Sequence, residues 1–245
     1  MPKIRKIVDP PKEKDSKAIH PNLPQPPASI LMVMPCKSGK STIGSNLILN
    51  DDFYGLDYFG LPPMVISPTI NNCLTNRFLK KCCDVYDEYN DNIIYDFVKK
   101  QKTFGEVSNM PSACVFIDDC LGEKTTALDG LASRYRHSAI ALLIFSTQSF
   151  RKGTSPTIRS NATNILVGKL QNENELDKVI SEYSGMFGGE TNFKKLYNEA
   201  TKDKFSFLHL NLQENPAEAW VRFERKIYPT NNEIKEIDEN ISDED

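Results

Sequence analysis

The sequence predicts an α/β fold with a mostly parallel central sheet flanked by helices. Three observations predict it. Short apolar runs alternate with amphipathic segments, the first run leads into a glycine–lysine turn, and strand-like alternation appears only near the C-terminal end. Unbroken short apolar runs are typical of strands buried on both faces. Their alternation with helical segments favours parallel pairing, so we expect one domain over residues 28–228.

The elements follow in chain order. Five apolar runs predict buried strands at residues 28–34, 64–67, 113–118, 139–146 and 164–168. Helical periodicity is predicted at residues 40–49, 70–84, 91–103, 123–135 and 173–184. Alternation over residues 205–212 and 219–224, on either side of a proline-containing turn, predicts a C-terminal antiparallel hairpin.

The charge of the chain is concentrated at its two ends. The 245 residues include 30 basic and 33 acidic side chains, a net charge of −3. Residues 1–27 hold seven prolines and a net charge of +3, residues 229–245 have a net charge of −6, and the part between is neutral. We expect a flexible proline-rich arm over residues 1–27 and an acidic tail over residues 229–245, either as plain disordered termini or as partner-binding arms. The nearly neutral charge of the chain argues against a generally basic protein that wraps nucleic acid, but it does not exclude a local basic surface.

Several classes of protein are not expected. The longest apolar runs have seven residues, far below the roughly 20 that cross a bilayer, and no apolar segment follows the basic N-terminal residues as in a signal peptide. The six cysteines form no CxxC pair and the three histidines are scattered, so zinc-site spacing is absent. We therefore expect a soluble, intracellular protein with no membrane segment and with reduced cysteines.

The most informative segment is MPCKSGKS, residues 34–41, which approximates the phosphate-loop pattern GxxxxGK[ST] with Met34 in place of the first glycine. A turn between a strand and a helix directs backbone N–H groups and the positive helix end at one concavity. We expect Lys40 to reach the β- and γ-phosphates and Ser41 to bind Mg²⁺. Methionine does not easily adopt positive φ, so the loop must start along another path, set by Pro35. The nucleotide is expected to contact Pro35, Cys36, Lys37, Ser38, Gly39, Lys40, Ser41 and Thr42.

Two carboxylates end the strand ACVFIDD, residues 113–119. Because ligands gather at the carboxyl ends of strands in α/β sheets, we expect Asp118 to bind Mg²⁺ and Asp119 to act as general base toward water. A solvated turn is the alternative reading of the acidic pair. Together with the loop, the pair predicts an Mg²⁺-dependent ATPase.

Polar and cationic residues lie on both sides of the next predicted strand, residues 139–146. Gln148 follows it and is predicted to contact both the attacking water and the γ-phosphate, unless it only caps the strand. Arg134, Arg136, Arg151 and Arg159 flank the strand. A guanidinium group at the γ-phosphate stabilises transition-state charge, and ring ATPases supply one from the neighbouring subunit.

Four segments together resemble the FtsK/HerA branch of P-loop ATPases, most closely the poxvirus-type genome-packaging ATPases of large DNA viruses and virophages. The segments are VMPCKSGKST (33–42), VFIDDC (115–120), SRYRHSAIALLIFSTQ (133–148) and PTIRSNATNILVGK (156–169). The resemblance covers about residues 28–170. It departs from the family at Met34 and at Asp119, where cellular members commonly carry glutamate.

The resemblance implies a RecA-like P-loop NTPase fold, ATP and Mg²⁺ as cofactors, and Arg159, or second Arg136, as the arginine that acts on a neighbouring subunit. It also implies a homo-oligomeric ring that packages double-stranded DNA into a capsid, with a capsid or portal-like partner, at the virus assembly site or in the virion. A ring can line its pore with few basic residues. One candidate cluster is Lys99, Lys100 and Lys102; the alternative is that these lysines only form a solvent-exposed helix face. The alternatives are a nucleotide-binding scaffold with weak catalysis, suggested by Met34, and a small-molecule P-loop kinase.

Overall fold

The computed structural model describes residues 19–71, 77–120 and 126–229. Most of the predicted arm and all of the predicted tail after Pro229 lie outside these residues. The strands are β1 (Ala28–Val33), β2 (Met64–Ile66), β3 (Asp84–Tyr86), β4 (Ala113–Asp118), β5 (Ile140–Thr147), β6 (Asn164–Gly168), β7 (Phe207–Asn211), β8 (Glu218–Val221) and β9 (Arg225–Ile227). The helices are α1 (Lys40–Leu49), α2 (Leu79–Cys82), α3 (Asp91–Lys102), α4 (Thr126–Arg134), α5 (Pro156–Asn161), α6 (Glu173–Tyr183) and α7 (Glu190–Ala200).

All nine strands of the described residues belong to one sheet, in the order β3-β2-β4-β5-β1-β6-β7-β8-β9. The first six strands in that order are parallel to their neighbours, and β7, β8 and β9 continue the sheet in antiparallel pairs. The predicted α/β fold with a mostly parallel sheet and a C-terminal hairpin is therefore confirmed. Since β5 pairs with both β1 and β4, the ends of these three strands meet at one edge of the sheet.

The two faces of the sheet carry different helices. Along β1, Leu31 packs into the core on one face and Met32 into the core on the other, because successive side chains point to opposite faces. Helices α3 to α7 cover the first face, and α1 and α2 cover the second. With helices on both faces, the central strands are fully buried and apolar, as predicted.

The segment predicted as a helix over residues 70–84 is different in the structure. Within its described part, only α2 is an α-helix, and β3 begins at Asp84. The prediction was wrong there because β3 is an edge strand with mainly exposed side chains, held by backbone pairing to β2 rather than by an apolar pattern. Helices α5 and α7 and strand β9 were not predicted.

The chain before β1 packs against the domain. Leu23 is buried, the Tyr54 hydroxyl donates to the Pro24 carbonyl, and Gln213 Nε2 donates to the Gln25 carbonyl oxygen at 2.8 Å. Residues 19–27, the last part of the predicted arm, are therefore packed against the domain rather than forming a free arm. No helix in the described ranges is long and apolar enough to span a membrane.

Candidate active site

The loop between β1 and α1 takes its sharp turns at Lys37 and Gly39, whose φ angles are 61° and 100°. Glycine adopts this left-handed region without steric cost, and Gly39 is the N-cap of α1. Ser38 Oγ donates to the Pro35 carbonyl at 2.7 Å and closes the loop on itself. The turn aims the first backbone N–H groups of α1 at the space above the loop, where an anion is favoured.

Met34 occupies the end of the strand rather than a left-handed turn. Its N–H donates to the Thr147 carbonyl at 3.0 Å, which continues the pairing of β1 with β5. Its side chain is buried against Gly168, where an added Cβ would lie 2.9 Å from Met34 Cγ. The methionine is therefore accommodated because the positive φ angles of the loop occur at later positions, and Gly168 makes room for its side chain.

Lys40, Asp119 and Gln148, which are far apart in the sequence, meet at this edge of the sheet. Lys40 is 6% exposed, and its Nζ lies 2.9 Å from Asp119 Oδ1. Gln148 Nε2 donates to Asp119 Oδ2 at 3.2 Å. Asp119 has a left-handed φ of 51°, a conformation that costs energy for a residue other than glycine and that occurs often at functional sites. The turn at Asp119 places its carboxylate between the lysine and the glutamine.

Asp118 is held differently, although it is the preceding residue. Its carboxylate is buried and accepts hydrogen bonds from Ser146 Oγ at 2.5 Å and from Ser67 Oγ at 3.0 Å. Burial raises the pKa of Asp118, and the two hydroxyl groups oppose that rise because they stabilise the charged form. Sequence analysis missed both serines, although each lies at or just beyond the end of an apolar run.

The predicted Mg²⁺ ligands fit an ion that also binds phosphate. No group of three or more His, Cys, Asp or Glu residues in the described parts of the chain could hold a metal. Mg²⁺ at phosphate sites needs only one or two carboxylates, with phosphate oxygens and water completing the shell. A buried Asp118 carboxylate fixed by two hydroxyls, with Ser41 half-buried on the first turn of α1, has the appropriate oxygen chemistry.

The remaining loop residues differ in their exposure. Cys36, Lys37 and Thr42 are exposed, whereas Pro35, Ser38, Gly39 and Ser41 are half-buried. Their roles toward a nucleotide remain predictions.

Neither candidate arginine lies at this cluster. Arg159 is largely buried and binds within its own chain: Nε is 2.9 Å from Glu182 Oε1, and Nη1 donates to the Thr154 carbonyl at 2.7 Å. Arg136 is exposed and precedes β5, so the length of that strand, about 25 Å, separates it from Gln148. The choice between them as the arginine that acts on a neighbouring subunit remains a prediction.

Comparison with known proteins places the fold. No family model matches the chain. It is 28% identical over 148 residues to uncharacterized protein 075L of Invertebrate iridescent virus 6, covering 57% of this chain. It is 23% identical over 169 residues to uncharacterized protein 088R of Invertebrate iridescent virus 3, covering 67% of this chain. The matches span 55% and 64% of the lengths of these two relatives.

Solved structures give a broader match. The DNA-packaging ATPase B204 of Sulfolobus turreted icosahedral virus superposes with a TM-score of 0.56 at 18% identity, over 81% of this chain and 98% of B204. B204 of Sulfolobus turreted icosahedral virus 2, a genome packaging NTPase in complex with ATP-gammaS, gives 0.51 at 19% identity, over 80% of this chain and 98% of that one. The pCW3 conjugation coupling protein TcpA gives 0.55 at 17% identity, over 82% and 61%. The chain therefore shares its fold with these packaging ATPases and with the coupling protein, as the resemblance of its motifs implied.

Proposed function

We propose that the protein is an Mg²⁺-dependent ATPase that translocates double-stranded DNA into a viral capsid as a homo-oligomeric ring. The observation that carries the proposal is the cluster of Lys40, Asp118, Asp119 and Gln148 at the carboxyl ends of β4 and β5, beside a glycine-turned loop. These residues provide one cation for phosphate, one fixed carboxylate for a metal ion, and a second carboxylate next to an amide.

The phosphate end of ATP is expected to enter where Lys40 now contacts Asp119. Lys40 exchanges the carboxylate for β- and γ-phosphate oxygens, and the backbone N–H groups after Gly39 bind the remaining phosphate charge. Ser41 and Asp118 would hold Mg²⁺, which neutralises charge developing on the phosphates. The two serines keep the Asp118 carboxylate in one orientation throughout.

The exchange leaves Asp119 free to act on water. Once Lys40 has moved to the phosphates, Asp119 accepts the proton of the attacking water as general base. Gln148, already within hydrogen-bonding distance of Asp119, orients that water and contacts the γ-phosphate. In this scheme the ion pair of Lys40 with Asp119 keeps both residues in place until nucleotide arrives.

The motor part of the proposal rests on the motifs and on the fold shared with packaging ATPases. The arginine that completes the site comes from a neighbouring subunit, either Arg159 or Arg136. Double-stranded DNA passes through the ring, and a capsid or portal-like protein holds the ring in place. The proposed place of action is the virus assembly site, with retention in the virion.

The test is phosphate release from ATP with and without double-stranded DNA, measured beside the size of the protein in solution. We expect hydrolysis that needs Mg²⁺, is stimulated by DNA and accompanies an oligomer. Lys40→Ala should abolish it by removing the phosphate cation, whereas Lys194→Ala, which changes an exposed lysine on α7, should retain it. ATP binding without turnover on any DNA, or turnover indifferent to DNA and oligomer size, contradicts the proposal.

A further inference from the structure

A cavity of about 300 Å³ lies beside the first two turns of α1. Its walls come from the segment before β1, from α1 and the loop that follows it, and from β7 and the turn after β8. The described residues that line it include three phenylalanines, Phe53, Phe207 and Phe223, together with Thr42, Asn46 and Arg222 and the carboxylates of Asp52 and Glu224. None of the chemistry assigned above to Lys40, Asp118 or Asp119 uses this cavity.

The cavity borders the start of α1, next to the phosphate loop. Thr42, which lines it, directly follows the predicted Mg²⁺ ligand Ser41. The residues proposed to act on the γ-phosphate come from β4 and β5, on one side of β1, whereas β7 lies on the other side. In the proposed binding mode, the terminal phosphate lies at Lys40 and the nucleoside end extends to the side where Phe207 and Phe223 are found.

The lining suits a flat aromatic ring. Phe223 is half-buried, and its ring makes edge-to-face contacts with Phe53 at 6.0 Å and with Phe207 at 5.3 Å between centroids. Rings held by such contacts offer a firm surface for stacking, and stacking tolerates any base because every base has a π-face. The cavity therefore has the composition of a base-binding site, mostly apolar with a few polar groups.

Arg222 supplies an unused donor at the same place. Its Nε is buried without a hydrogen-bond partner in the described residues, although Nη1 donates to Glu224 at 3.2 Å. Its φ of 53° is left-handed. A buried N–H without a partner costs free energy, and an acceptor on a ribose or a base would remove that cost.

A second cavity, of about 540 Å³, is lined by loop residues 35–38 and by residues 169–171 and 202–206. The lining includes Lys37, Lys169, Lys202 and Lys204, and also Asp203 and the ring of Phe205, whose centroid lies 4.8 Å from Lys204 Nζ. Four ammonium groups suit an anion rather than a neutral heterocycle. Its chemistry therefore leaves the aromatic cavity as the better match to a nucleoside.

We infer that the aromatic cavity binds the base and ribose of the nucleotide, with Phe223 as the stacking residue and Arg222 as a hydrogen-bond donor. The inference rests on the proposed ATPase function. It adds a residue-level basis for distinguishing ATP from a bare polyphosphate chain.

The test compares the calorimetric dissociation constants of ATP and inorganic tripolyphosphate, both with Mg²⁺. The wild-type protein should bind ATP more tightly. Phe223→Ala should weaken ATP binding about tenfold and leave tripolyphosphate binding unchanged, and Phe223→Tyr should restore ATP binding. Tyr95→Ala, which removes an exposed ring on α3, is the matched control and should change neither constant.

A second variant guards against misfolding, because Phe223 also packs against its neighbours. Asn46→Trp fills the cavity from the surface of α1 and should block ATP while sparing tripolyphosphate. Equal affinities of the wild-type protein for the two ligands, or unchanged ATP affinity in both variants, overturn the inference. A selective loss of ATP affinity in Lys169→Ala, with Phe223→Ala unaffected, overturns it in favour of the lysine-lined cavity. Failure of the wild-type protein to bind either ligand instead contradicts the proposed function.

Discussion

Asp118 and Arg222, which lie on opposite sides of β1, differ in how their buried polar atoms are partnered. On the side of β4 and β5, Asp118 accepts two hydroxyl hydrogen bonds, and Asp119 is paired with Lys40 and Gln148. On the side of β7 and β8, Arg222 Nε is buried without a partner among the described residues. Phe207, Phe223 and the open cavity lie beside it, while Nη1 of the same guanidinium group donates to Glu224.

The difference indicates different tasks. A carboxylate that must hold a metal ion in one geometry benefits from partners already in place, because no reorganisation is then needed during the reaction. A donor left without a partner is tolerated where a ligand completes it, since the ligand then gains the hydrogen bond. In the proposed function, the first side serves the chemistry at the phosphates, and the second binds the remainder of the nucleotide.

The largest expected effect is at Asp119. Asp119→Asn should lower the rate of ATP hydrolysis by at least about 100-fold, because an amide does not accept the proton from water. Asparagine tolerates left-handed φ, so the turn and ATP binding should be preserved. The measurements are steady-state phosphate release and calorimetric ATP affinity.

The control for this variant is Asp177→Asn, which changes an exposed carboxylate on α6 and should leave the rate unchanged. A normal hydrolysis rate in Asp119→Asn would show that the base lies elsewhere. The contrast between the two sides of β1 would then concern binding alone.

The next effect is on stability. Ser146→Ala removes the 2.5 Å hydrogen bond to the buried Asp118 carboxylate, and hydrogen bonds to charged groups contribute about 1.5–3 kcal/mol. We expect the free energy of unfolding in urea to fall by about that amount. Ser160→Ala, which removes an exposed hydroxyl bonded to a backbone carbonyl, should change it by less than about 0.5 kcal/mol. Equal losses of unfolding free energy in both variants would mean that the Ser146 hydrogen bond to Asp118 stabilises the fold no more than an exposed one does.

The sequence predicted the parts of the site that depend on local patterns. The glycine–lysine turn and the acidic pair at the end of β4 are contiguous motifs, and the central strands are apolar because both of their faces are covered. Topology alone then brings Lys40, Asp119 and Gln148 together. Helix α7 has a pattern of the same local kind, with Phe193, Leu196, Tyr197 and Ala200 on one buried face, so its sequence contains the signal for a helix.

Other features depend on partners that are distant in the sequence. Ser67 and Ser146 are 51 and 28 residues from Asp118, and nothing in their own surroundings marks them as its donors. Edge strand β3 is short and mostly exposed, so its sequence lacks a strand pattern. The accommodation of Met34 depends on Gly168 and on turns taken three and five residues later, which only the folded loop reveals.

The smallest expected effect is a pH dependence on the β7 side. His209 is buried on β7 with Nε2 2.8 Å from Asn164 Oδ1, and burial lowers its pKa to about 3. The unfolded chain, with a pKa near 6.5, takes up a proton below that pH while the folded protein does not. Stability is therefore fully present above about pH 6.5 and is lost as the pH falls toward 3.

From pH 7 to 5.5 this linkage amounts to about 1 kcal/mol. The wild-type protein should lose that much more unfolding free energy than His209→Gln, whose amide can still donate to Asn164. His137→Gln, at an exposed position, should follow the wild-type protein. If the unfolding free energy of His209→Gln falls with pH as steeply as that of the wild-type protein, the buried imidazole does not cause the pH dependence. The difference between the two sides of β1 would then rest on Arg222 alone. Its buried Nε has no partner in the described residues, and the proposed nucleoside would supply one.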